Sequence, residues 1–201
     1  MAVEMGAKAG LIPPLGPAAS GWPTPSWLTI EPQARYVRTL TIDLTGLEPQ
    51  VAIPHSVDDV ADLSSLAGTV LDVVFLGTCT NGRYEDLRAA AEILHGQRVS
   101  PRTRLIVTPA SSRVLSRAAA DGTLSTLIEA GAILTAPGCG MCMGRHQGTL
   151  GDEDVCLSTG NRNFRGRMGA PTSRIYLASP TVAAASAVCG CIADPREIDQ
   201  R

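Results

Sequence analysis

Aromatic residues are scarce in this chain, at 3% of its 201 residues. Its core must therefore be assembled from Ala, Val, Leu and Ile. Excess charge of either sign is also missing: the formal net charge is -2. A general nucleic-acid binder would carry a basic surplus, so that class is set aside. No apolar run reaches the roughly 20 residues that span a bilayer, and no membrane association is expected. The opening "MAVEMGAKAG" lacks the apolar core of a secretory signal. A reducing cytoplasm is the expected compartment. There, six cysteines serve as metal ligands, catalytic groups or buried thiols rather than disulfides. Histidine is sparse as well. His55, His95 and His146 are the only three, and none sits in a catalytic motif.

What the chain does have is a change of texture near residue 68. Residues 1–67 read as the remnant of a preceding domain and a connector. "GLIPPLGPAASGWPTPSW" is crowded with Pro and Gly, which interrupt regular structure. "YVRTLTIDLTGLEP" carries Val37, Leu40, Ile42 and Leu44 in near alternation, the pattern of a strand with one exposed face. "PHSVDDVADLSSLAG" reads as a surface connection. Residues 68–201 are regular. "LDVVFLG" is a continuous apolar run expected of a strand covered on both faces, "RLIVTPA" reads as a second buried strand, and "AILTAPG", "DVCLSTG" and "RIYLASP" as three more strands. Between them, "YEDLRAAAEILHG" places Leu87, Ala90, Ala91 and Leu94 on one helical stripe. "SSRVLSRAAADGTLSTLIEAGA" is helical with a break at Gly122, and "SPTVAAASAVCG" is a final helix. The alternation predicts a three-layer α/β domain, a mainly parallel sheet with helices on both faces.

That architecture locates chemistry, because open α/β sheets bind ligands beyond the carboxyl ends of their strands. Cys79 lies just past "LDVVFLG". Cys139 and Cys142 lie just past "AILTAPG", and "TGNRNFRGR" lies just past "DVCLS". Three unusual loops should meet at one sheet edge. Cys156, Cys189 and Cys191 sit in apolar surroundings and read as small buried hydrophobes. For Cys79, Cys139 and Cys142 three chemistries compete. A thioredoxin-like pair would leave Cys79 unused. A closed zinc site would take His146 as its fourth ligand, with no reason for the arginines beside it. An iron–sulfur cluster held by three thiolates leaves one iron open to substrate. Arg162, Arg165 and Arg167 carry guanidinium forks that match carboxylates, and Asn161 and Asn163 add neutral donors. The combination suits a small polycarboxylate.

These strings resemble a known family. "GTCTNGRYEDLRAAAEIL", "PGCGMCMG", "STGNRNFRGRMG" and "ASPTVAAASAV" are similar to the aconitase superfamily. Within it they are nearest the large subunits of 3-isopropylmalate dehydratase and homoaconitase. "MAVEMGAKAGL" and "DLTGLEPQVAIPHS" extend the resemblance over nearly the whole chain, as the C-terminal half of such a subunit. The resemblance implies a 4Fe-4S cluster held by Cys79, Cys139 and Cys142, with substrate bound by Asn161, Arg162 and Arg167. It implies that Glu4 is a catalytic glutamate. The implied reaction removes and re-adds water on a hydroxy polycarboxylate such as 2-isopropylmalate, in leucine synthesis. The implied partners are a small dehydratase subunit and the N-terminal half of the large subunit. The chain departs from the family's pattern at Gly160 and Met141, where members usually read Ser and Pro. A homoaconitase-type substrate, or a non-catalytic module with a vestigial or zinc-filled site, is the alternative.

Overall fold

The computed structural model describes residues 2–3, 5–11, 27 and 31–198. The chain divides into two compact units, Met1–Leu47 and Glu48–Arg201.

The second unit is built on seven strands: β1 (Gln50–Ala52), β2 (Val60–Asp62), β3 (Val73–Gly77), β4 (Arg104–Thr108), β5 (Ile133–Leu134), β6 (Val155–Ser158) and β7 (Arg174–Leu177). Their order across the sheet is β2-β1-β7-β6-β3-β4-β5. The five strands from β7 to β5 run parallel. The β1–β2 hairpin adds an antiparallel edge. The α/β class expected from the sequence is the one observed.

Alternation within the strands explains how both faces are covered. Val74 and Leu76 face one way, Val73 and Phe75 the other, and all four are buried. The first pair joins a large core with α3 (Tyr84–Leu94), α4 (Ser112–Ala120), α5 (Thr123–Glu129) and α6 (Pro180–Cys189). The second pair joins a smaller core with Ile106, Met141, Met168 and Ile175. The helices expected on both faces thus lie on one only, and a 3-10 helix, Gly140–Met143, with its neighbouring loops covers the other. Two one-turn helices, α1 (Leu63–Leu66) and α2 (Thr78–Asn81), complete the unit.

Helix limits follow local chemistry. The Ser111 hydroxyl accepts from the Val114 amide at 3.3 Å to cap α4. Gly122, at φ 84°, breaks α4 from α5 where the sequence predicts a break. Pro180 opens α6 under the Ser179 cap, and four buried alanines let it lie close on the sheet.

Three expectations are corrected. Residues 36–44 form no strand: Val37, Leu40, Ile42 and Leu44 are exposed, and alternation makes a strand only against a partner edge. The stretch taken as a surface connection holds β2 and α1. Cys189 is exposed and Cys191 half-buried, because they flank the helix end at Gly190; Cys156 is fully buried as expected. Among the described residues no helix is long and apolar enough to cross a membrane.

Candidate functional site

The chain runs from β3 outward to β4 and β5, then returns to β6 and β7 on the other side of β3. The order therefore reverses between β3 and β6, the switch point at which such sheets bind ligands. The two strand ends are stitched together there. The Gly77 amide donates to the Thr159 hydroxyl at 2.9 Å, and that hydroxyl donates to the Gly77 carbonyl at 3.2 Å.

Two loops rise from this seam and bind each other. The Thr80 hydroxyl donates to Asn161 Oδ1 at 2.9 Å, and Asn81 Nδ2 reaches the same oxygen at 3.3 Å. Asn81 Nδ2 also donates to the Thr159 carbonyl. Cys79 sits inside the first loop as an exposed free thiol. The polar residues of "GTCTNGR" were visible in sequence, but only Cys79 was singled out. Thr80 and Asn81 turn out to anchor Asn161.

The third loop carries the other two thiols on a single turn. Cys139 precedes the 3-10 helix, and the Cys142 amide bonds back to the Cys139 carbonyl at 3.3 Å. Gly140 is required there. Its φ is 55°, and a Cβ would lie 2.5 Å from Thr108 Oγ1 and 2.9 Å from Phe75 Cζ. Gly160 sits close to its neighbours: a Cβ on it would lie 3.0 Å from Ser158 Oγ, 3.8 Å from Thr78 Cγ2 and 3.9 Å from Cys142 Sγ. Arg167 Nη2 donates to Cys142 Sγ at 3.6 Å. Its guanidinium lies 5.4 Å from the Phe164 ring centroid, and its Nε is buried without a partner. Arg162 and Arg165 are exposed on the same loop.

Asn163 corrects the sequence reading. It is 1% exposed, and its Nδ2 donates to the carbonyls of Ile53 at 2.7 Å and Ser56 at 3.3 Å. Its amide is spent on backbone, not offered to a ligand. Glu4 lies outside the described residues. His146 and Cys139 line a cleft of about 160 Å³ with Pro137, Met143 and Arg145. Among the described residues, no three or more of His, Cys, Asp and Glu gather in a group that could hold a metal ion. Cys79, Cys139 and Cys142 are free thiols, and an arginine donates to one of their sulfurs; thiolates are the donor type that iron–sulfur clusters take.

A larger cleft of about 450 Å³ lies on the helical layer. There the Tyr84 hydroxyl donates to Asp121 and, with Thr123, holds that carboxyl down to about 2. None of the thiol or arginine loops lines it.

A parallel α/β domain with cysteine and arginine loops meeting at its switch point is the class these observations define. A model of the Aconitase family (aconitate hydratase) matches residues 64–190, and the chain belongs to that family. It is 57% identical over 198 residues to the 3-isopropylmalate dehydratase large subunit of Herpetosiphon aurantiacus, covering 98% of this chain and 47% of that protein. It is 56% identical over 200 residues to the homoaconitase large subunit of Thermus thermophilus, covering 100% and 48%. It is 54% identical over 202 residues to a 3-isopropylmalate dehydratase large subunit of Deinococcus radiodurans, covering 100% and 46%. The chain spans about half the length of the curated relatives it matches.

Proposed function

We propose that this chain is part of a hydro-lyase subunit that dehydrates and rehydrates a small hydroxy polycarboxylate, with 2-isopropylmalate the preferred substrate. The observation that carries the reading is the meeting of three loops at the β3–β6 seam, with Arg167 against Cys142 at 3.6 Å. Cys79, Cys139 and Cys142 would hold a 4Fe-4S cluster. When bound, that group supplies an open iron as a Lewis acid for the substrate's hydroxyl and carboxylate. Arg162 and Arg167 orient carboxylates through charge-assisted hydrogen bonds. Asn161, held through its Oδ1 by Thr80 and Asn81, is proposed as a further substrate-binding residue. Glu4 is proposed as the acid–base residue from the resemblance. A homoaconitase-type substrate is the second reading, favoured by the near-equal identity to the Thermus thermophilus protein. The proposed partners are a small subunit and a polypeptide equivalent to the remaining half of the relatives.

Anaerobic reconstitution with iron and sulfide tests the reading. The native chain should turn brown and retain iron and labile sulfide in near-equal amounts, and Cys79→Ala should lose both. The same preparation should turn over substrate only when the remaining half and a small subunit are added. Equal retention by native chain and variant, or turnover by the chain alone, would overturn the proposal.

A further inference from the structure

The arginine loop is pinned at two points, one on each side of Arg162. Asn161 is held from the β3 side by Thr80 and Asn81. Asn163 is held from the opposite direction, by carbonyls 110 and 107 residues earlier in the chain. Those carbonyls belong to Ile53 and Ser56, in the turn that joins β1 to β2. The turn is itself closed by the Ile53 amide on the Asp59 carbonyl at 2.7 Å and the Ser56 amide on the Ile53 carbonyl at 3.3 Å.

We infer that Asn163 is a positioning residue that clasps the β1–β2 turn to the arginine loop, so that the edge hairpin sets where Arg162 stands. The inference rests on the proposed role of Arg162 as a carboxylate ligand. Burying an amide costs free energy unless its hydrogens are bonded. Asn163 spends both on the turn, so the loop and the hairpin must move together or break two hydrogen bonds. Arg162, between two tethered asparagines, loses backbone freedom before any ligand arrives, and this lowers the entropy cost of binding.

His55 lies between Ile53 and Ser56 in the chain, and its Nδ1 is buried without a partner, as is Asn163 Oδ1.

Hydrogen exchange on the full chain tests the clasp. In the native protein, amides of 53–56 and 160–167 should open together, at one rate. In Asn163→Ala and in the isosteric Asn163→Asp, exchange in both segments should rise about ten-fold, while β3, β4 and β6 keep their protection. Tricarballylate, a tricarboxylate with no hydroxyl, should shield Arg162 from phenylglyoxal in the native chain. The concentration for half-protection should rise about five-fold or more in the variants. Independent native rates for the two segments, unchanged exchange at 53–56 in the variants, or equal acceleration throughout the sheet would overturn the clasp. Absence of shielding in the native chain would instead sink the carboxylate reading, leaving the exchange data to decide the clasp by itself.

Discussion

His55 carries no sequence signal, yet folding changes how readily it takes a proton. Its ring is half-buried, and its pKa is held below the ordinary 6.5, first by desolvation and second by the Arg165 cation. The sign of the consequence follows from proton binding. Below about pH 6.5 the unfolded chain takes up this proton while the folded chain resists it. Stability present above that pH is therefore lost as pH falls through the folded pKa. The thermal midpoint should drop between about pH 7 and pH 5, and His55→Gln should flatten that part of the profile. Parallel profiles for the two proteins would show that His55 contributes nothing to it. In sequence, His55 carried no motif. Its environment depends on Arg165, more than a hundred residues away.

The 3-10 helix Gly140–Met143 is the element on which two of the three thiols depend. Met141 is fully buried in the smaller core, and Gly140 lies on Phe75 and Thr108 with no space for a side chain. Gly140→Ala should cost about 2–4 kcal/mol, from overpacking and a left-handed backbone combined. Urea unfolding would measure it, and a loss below about 0.5 kcal/mol would show that the turn moves freely. Elements like β3, β4 and β6 were legible because strands covered on both faces must be apolar throughout. The Cys79, Cys139 and Arg162 loops could be singled out as candidates because residue type alone suggests the chemistry proposed for them. β1 and β2 have three residues each, too few to print a pattern. The alternation at 36–44 was real, but a strand also needs an edge beside it. Asn163 misled for a related reason: an amide next to arginines looks like a ligand donor until the carbonyls it binds are known.

At the scale of the whole molecule, the first unit raises a problem of solubility. Among its described residues it has no helix or strand. Val3, Met5, Leu11, Trp27, Tyr36, Val37, Leu40, Ile42, Leu44 and Leu47 are all exposed. Single exposed apolar residues are ordinary, but five between Tyr36 and Leu44 exceed what a lone monomer usually shows. That stretch also has β-branched residues and alternation with no paired edge, the features that favour strand-to-strand association. A net charge of -2 adds little repulsion between copies. The purified chain should therefore self-associate, with light scattering per molecule rising with concentration. Replacing Leu40, Ile42 and Leu44 by serine should suppress the rise without lowering the unfolding midpoint, because none of the three contributes to the buried core. Adding the polypeptide equivalent to the remaining half of the relatives should suppress it too, if that polypeptide covers this surface. A native chain that stays monomeric at high concentration would mean that residues 36–44 are compatible with water as they stand, and that the apolar stretch needs no partner.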